Sequence, residues 1–321
     1  MKISISIEGA VGLTWAHWKR LVGDVEHMGF AGMYLSDHFT GPFPPDQASL
    51  EPVVALTYLA DHSERVHFGP MVAPLSFRDP VMLARQALAL DDLSGGRMVL
   101  GIGAGWLERE HQMFGYKLGD VPTRMARLEE GLEVITRLLR SDEPVSYEGR
   151  FFRLSEAQLL PRPQRPGGPP VMVGGSGPKR TLPLVARYAD IWNAQLLSPD
   201  GVRERSTQLD ELLRSVGRQP SDVRRTVAVP VVCGHDPAEL ERRMSWARRM
   251  AAFAEAPLEM LLGIMREQLA AIIGPPEEVV GLMRAYETAG IEELVVQWFG
   301  VDDIEGIELL AEQVLPLLSG Q

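Results

Sequence analysis

A chain of 321 residues, 45% hydrophobic and 23% charged, is long enough for one large α/β barrel or two ordinary domains and carries ample material for a core. Its formal net charge of −11 argues against nucleic acid or an anionic membrane surface as the main partner, and with no apolar run of 18 or more residues and no basic-then-apolar leader a soluble, cytoplasmic protein is expected. The one cysteine, Cys233, excludes an internal disulfide and a cysteine-rich metal site, and no His/Asp/Glu set has metal-ligand spacing, so no metal is expected.

Residues 2–7 alternate and are rich in Ile, which predicts a first strand. Thr14 opens an amphipathic helix (Trp15, Trp18, Leu21, Val22, Val25, Met28) that closes at Gly29. Strand two, 32–36, runs into Asp37-His38-Phe39 and a Pro/Gly-rich loop ending at Pro45. A helix over 52–62 leads to strand three, 65–73, whose Gly69-Pro70 predicts an irregular second half. Pro80 starts a helix with Leu83, Ala84, Ala87 and Leu90 on one face, stopped by Ser94-Gly95-Gly96. The uncharged run 98–103 suits a strand buried on both faces, and it ends in Gly103-Ala104-Gly105, where a ligand can approach the backbone closely. A polar loop with Glu108, Glu110 and His111, groups able to transfer protons but expected to be solvated, precedes a long helix over 123–139.

Residues 145–154 read as a hairpin turning at Glu148-Gly149. The proline-rich stretch 161–170 delivers strand five, 171–173, which ends at Gly174-Gly175-Ser176-Gly177. A helix (181–188), a strand (190–194), a helix (199–216) and a seventh strand (225–233) ending in a buried thiol follow. Residues 240–273 are helix-rich and longer than one crossover needs. Within them Arg242-Arg243 and Arg248-Arg249, alternating with Met244, Trp246 and Met250, predict a surface helix. A helix (277–288), an eighth strand (293–298) and a closing helix (304–318) complete the chain. Eight strand-then-helix units predict an α/β fold, a (β/α)8 TIM barrel, as one domain over 1–321 with a hairpin insertion near 145–155 and a helical one near 240–274.

Barrels keep their ligands at the carboxyl ends of the strands. His38 lies at such an end, where an imidazole can hydrogen-bond a ring or shuttle a proton; the alternative is that Asp37 and His38 only cap the loop. Gly174-Gly175-Ser176-Gly177, followed by a helix, offers backbone N–H groups and a hydroxyl to an anion, with Lys179 and Arg180 as charge partners. Glu8, just past strand one, is a carboxylate within reach of the mouth or an exposed loop charge, and Trp106 walls the pocket or packs.

The stretches Ser36-Asp37-His38-Phe39, 90–97 (LDDLSGGR), 100–106 (LGIGAGW), 171–177 (VMVGGSG) and 186–193 (ARYADIWN) resemble, in order and over nearly the whole chain, the bacterial luciferase-like monooxygenase family. Ser36-Asp37-His38 is most similar to the branch that uses the deazaflavin coenzyme F420. The resemblance implies an oxidoreductase and a homodimer, with the cofactor at the carboxyl face and His38 as the catalytic residue. It also implies cofactor contacts from Asp37, His38, Met71, Val72, Ala73, Gly103, Ala104, Gly105, Gly174, Gly175, Ser176 and Gly177, and a non-proline cis peptide near Met71-Val72 behind the ring. FMN in a monooxygenase is the alternative, and a flavin-binding protein without turnover a third. Sugar-phosphate dehydrogenases of this branch place a carboxylate where this chain has Trp106 and an aromatic ring where it has Pro42. A small organic substrate other than a sugar phosphate is therefore expected.

Overall fold

The computed structural model describes residues 1–318. The strands are β1 (Lys2–Ile7), β2 (Gly32–Leu35), β3 (His67–Pro70), β4 (Ala73–Pro74), β5 (Leu100–Gly103), β6 (Val145–Glu148), β7 (Arg153–Ala157), β8 (Val171–Gly174), β9 (Ile191–Gln195), β10 (Arg224–Cys233), β11 (Ile272–Gly274) and β12 (Glu293–Trp298). Strands β6 and β7 pair antiparallel as a hairpin of their own. The others pair in parallel, in the spatial order β3-β2-β1-β12-β10-β9-β8-β5-β4, with β11 beside β10. The path closes where Phe68 N donates to Arg97 O at 3.1 Å and Val99 N donates to Phe68 O at 2.8 Å. Strands β3 and β4 are two halves of one stave, interrupted at Met71-Val72, whose peptide bond is cis. Eight staves thus form a TIM barrel.

Helices α1 (Trp15–His27), α2 (Pro52–His62), α3 (Pro80–Leu93), α4 (Glu108–Phe114), α5 (Val121–Arg140), α6 (Thr181–Tyr188), α7 (Pro199–Ser215), α8 (Pro237–Arg243), α9 (Ser245–Arg248), α10 (Leu258–Leu269), α11 (Pro276–Thr288), α12 (Ile304–Gln313) and α13 (Leu315–Leu318) connect the strands. Their starts are chemically marked: Asp79, Asp120 and Ser198 accept the orphan N–H groups of α3, α5 and α7, each with proline in the first turn. Among the described residues no helix is long and apolar enough to cross a membrane.

A two-residue period decides what faces inward. Along β12, Glu293, Val295 and Gln297 point into the barrel; Ser4, Ser6 and then Glu8 do so from β1, and Tyr34, Ser36 and then His38 from β2. The middle of the barrel is filled by Tyr34, Met71, Val99, Met172, Ile191, Ala228 and Val295, a cluster separate from the larger apolar shell between strands and helices. Its amino-terminal end is polar. Glu293, fully buried, accepts from Ser4 Oγ at 2.6 Å, lies 2.8 Å from His67 Nε2 and 3.4 Å from Arg224. Those partners hold its carboxyl below the ordinary range although burial alone would raise it. That end is closed, so the open end lies at the strand carboxyl termini.

Three sequence expectations change. Residues 108–114 form helix α4 and not a loop, and residues 272–274 form a strand, β11, paired with the outer half of β10. Residues 242–250 are not one surface helix but span α8 and α9: Met244, Trp246 and Met250 are buried, and Arg243 is buried against Asp303.

Candidate active site

The carboxyl ends of the staves enclose a cavity of about 480 Å³ lined by residues of β1, β2, β4, β5, β8, β9 and β12 or just beyond them. His38 projects into it because the alternation that turns Tyr34 and Ser36 inward continues past the end of β2. Its Nδ1 lies 3.1 Å from both carboxylate oxygens of Glu110, of which Oε2 also accepts Phe39 N–H at 3.1 Å. Glu110 is 1% exposed, and helix α4 carries it back over the strand-two loop. With Nδ1 committed, Nε2 is the ring atom left for a ligand. Burial opposes charging this imidazole, but the hydrogen bond to Glu110 and the charges of Glu8, Glu110 and Asp37 outweigh it, so His38 holds a proton above the ordinary histidine value of 6.5.

Glu8 is a lining residue and not an exposed loop charge: it accepts Ser36 Oγ–H at 2.5 Å and Gln297 Nε2–H at 3.4 Å. Ser36 in turn accepts Gly9 N–H at 2.8 Å. Trp106 sits at the rim, 60% exposed, with its ring edge-on to that of His38 at 5.7 Å. Leu196, just after β9, also lines the cavity and adopts φ 55°, a left-handed conformation that costs a non-glycine residue roughly 1 kcal/mol.

Met71 and Val72 form an apolar floor, and the glycines beside them admit it. A Cβ on Gly103 would come within 2.6 Å of Val72 Cγ2, and one on Gly174 within 3.0 Å of Val72 Cγ1. Gly103, Ala104, Gly105 and Gly174 line the cavity, while Gly105 also needs its φ of 79° and its close approach to Ser76.

Other expected residues lie elsewhere. Asp37 has the opposite parity to His38 and points away from the cavity into a two-pronged ion pair with Arg78, both N–O distances 2.8 Å. Ala73 likewise turns outward into the shell core. Gly175, Ser176 and Gly177 lie past the rim on the way to α6. The hydroxyl of Ser176 is committed to the end of β9, donating to Gln195 O and accepting from Gln195 N, each at 3.0 Å, so only the backbone of this turn remains as a donor. Lys179 and Arg180 line an outer groove between α5 and α6.

The expected polar loop divides by helix face. Glu108 faces solvent, hydrogen-bonded to Gln112, whereas His111 is buried, with Nε2 2.7 Å from Ser76 Oγ and Nδ1 2.7 Å from Leu107 O. Glu110, which the sequence offers as a possible proton-transfer group but places in a solvated loop, is instead buried against His38. Its signal was present as the spacing Leu107, Glu110, His111, Phe114, a helical face with two polar members. No group of three or more His, Cys, Asp or Glu suited to a metal ion occurs among the described residues.

The sequence model of the luciferase-like monooxygenase family matches residues 3–293. An F420-dependent glucose-6-phosphate dehydrogenase from Microbacterium testaceum is 31% identical, over 91% of this chain and 90% of its own length. Another from Intrasporangium calvum is 29% identical over 92% of each. In structure, the coenzyme F420-dependent tetrahydromethanopterin reductase of Methanopyrus kandleri superposes with a TM-score of 0.79 at 20% identity, covering 98% of this chain and 99% of that one.

Proposed function

Because this chain belongs to the luciferase-like monooxygenase family, we propose that it is an oxidoreductase that moves a hydride between coenzyme F420 and a small organic substrate at the barrel mouth. The observation that carries the reading is the His38–Glu110 pair, a proton-holding imidazole aimed into the cavity beside an apolar floor. The names of the full-length relatives support F420 as the cofactor.

The residues present fit such a group. Val72, packed against Gly103 and Gly174, presents a flat apolar surface suited to one face of a ring system. The turn at 174–177 leads into α6, whose dipole favours a phosphate; Thr181 and Leu182 N–H already donate to Gly177 O and Pro183 has no N–H, so the donors would be the turn N–H groups of Ser176 and Gly177. When bound, the coenzyme supplies the hydride acceptor or donor. Everything else falls to the protein. Glu110 fixes Nδ1–H of His38 and raises the ring's affinity for its proton, which suits Nε2 to donate a proton to a substrate oxygen in the reductive direction and to take it back in the oxidative one. Trp106 and Leu196 border the cavity at its rim, where they contribute apolar surface beside the ring. We extend the proposal to a cytoplasmic homodimer, in line with the family resemblance, which light scattering on the purified protein tests.

Titrating the purified chain with F420 and with FMN decides the cofactor. Saturable F420 binding, followed by a substrate-dependent change in its absorbance, is the expected result. Tight FMN binding with none for F420 overturns it in favour of a monooxygenase, and uptake of either cofactor with no substrate-dependent change reduces the protein to a binder.

A further inference from the structure

A second cavity, of about 340 Å³, opens off the first and shares Glu8, His38, Trp106, Leu196, Leu269 and Gln297 with it. It runs outward beneath α8 to α10, and its character is different. Three thioethers, Met244, Met250 and Met265, line it with Leu261 and Ile264. Two aromatic pairs complete the wall: Trp246 stacks on Phe299 at 4.5 Å and Phe43 meets Phe253 edge-on at 5.4 Å. The polar side chains that reach it are Glu8, His38, Thr40, Gln268 and Gln297, and no lysine or arginine lines it. Each arginine around it already has a carboxylate: Arg109 has Asp46, Arg243 has Asp303 and Arg249 has Asp302.

A phosphate entering this chamber would lose its hydration, meet no lysine or arginine, find the His38 imidazole already paired with Glu110 and face the Glu8 carboxylate, and a poorly compensated buried charge is strongly unfavourable. Apolar surface entering it would be stabilised in proportion to its area, and methionine-lined walls adjust to varied shapes.

We infer that this chamber is the substrate subsite, and that it takes an uncharged, mainly apolar molecule whose carbonyl or alcohol function lies at the His38 end. The inference rests on the function proposed above for the adjoining cavity. At the ~30 Å³ that one water occupies in the liquid, the chamber holds on the order of ten non-hydrogen atoms. In the reductive direction the carbonyl carbon gains a hydride from reduced F420, which is oxidised by two electrons. The carbonyl oxygen gains the proton from His38 Nε2, and an alcohol leaves. The oxidative direction reverses each transfer.

The test uses the full chain without cofactor. Intrinsic tryptophan fluorescence or calorimetry follows binding of a series of straight-chain 2-alkanones of increasing length, and of glucose 6-phosphate. Affinity should rise about fourfold per added methylene until the chamber is full, with no saturable binding of the sugar phosphate. Ile264→Lys should flatten the length dependence, and Phe253→Ala, which removes bulk without adding charge, should weaken binding of the longer ketones. A length-independent response in the parent, or saturable glucose 6-phosphate binding that Ile264→Lys alters, overturns the inference. Length-dependent ketone binding by a chain that takes up no F420 supports the subsite and removes the cofactor assignment instead.

Discussion

Replacing Glu110 by Gln tests the proton chemistry directly. The substitution keeps the shape of the side chain and an acceptor for Phe39 N–H, but it removes the charge 3.1 Å from His38 Nδ1. At an effective dielectric constant of 20 that separation corresponds to a gross attraction of about 5 kcal/mol. After desolvation, a charge-assisted hydrogen bond retains about 1.5–3 kcal/mol, which is roughly ten- to a hundredfold in the affinity of the ring for its proton. Burial, the largest single influence on His38 and one that favours the neutral ring, is then less opposed. Glu110→Gln should therefore move the titration of His38 to lower pH. The reductive rate on the alkaline side of the parent's midpoint should drop roughly ten- to a hundredfold, with much less loss on the acid side. The same proton carries a stability signature. It stabilises the folded state below the ordinary value of 6.5, and that contribution is lost as pH rises through the higher native value, so the variant should show a weaker pH dependence of stability over this window. Nitrogen-15 NMR of the labelled imidazole, a pH–rate profile with reduced F420 and urea unfolding at several pH values measure all three. A midpoint for His38 that stays put or rises in Glu110→Gln refutes the reasoning.

Gly69→Ala should destabilise the fold by about 3 kcal/mol or more, because its Cβ would lie 1.8 Å from the Val99 carbonyl oxygen where the barrel closes, whereas Gly23→Ala, with nothing within 4 Å of its Cβ in helix α1, should stabilise by about 0.5–1 kcal/mol; thermal unfolding of the pair checks both. Glu293→Gln strips a buried carboxylate of its charge between His67 and Arg224 and should cost about 3–5 kcal/mol near neutral pH. The native carboxyl lies below its ordinary 4.5, so its stabilisation is present above that value and lost as pH falls through the native one; the gap between variant and parent in urea unfolding should narrow on acidification. Cys233 is buried and its thiol is pushed up to about 12, so a thiol reagent should label it only after denaturant is added.

The barrel was legible because its signals are local: uncharged runs, caps with following prolines, and Gly-rich strand ends recur along the chain, and each marks one element. The position of His38 was legible for the same reason, since it follows strand two directly. The carboxylate that acts on it was not, because Glu110 meets it from 72 residues away through a short helix whose stripe mixes Leu107 and Phe114 with charged groups. Parity separated the residues that reach the cavity from those that do not. Asp37 and Ala73 fall on the outward face of staves whose neighbours His38 and Val72 point in, and the interrupted stave at Met71-Val72 hides that register from the sequence. Arg243 and Met244 misled for a different reason. A basic residue on a helix usually marks solvent, but here Asp303 draws Arg243 inward and the thioethers beside it face the chamber.

The chain leaves the barrel after β10 and returns at β11, and these two points are neighbours: Cys233 stands opposite Gly274, and Gly234 N donates to Gly274 O at 3.2 Å. A detour whose exit and entrance share one doorway can be exchanged for another of different length without re-registering a single stave. Much of the wall that selects the guest is thus written on a stretch of the gene apart from the imidazole that serves it, so a protein of this plan can take up a new diet while keeping its old chemistry.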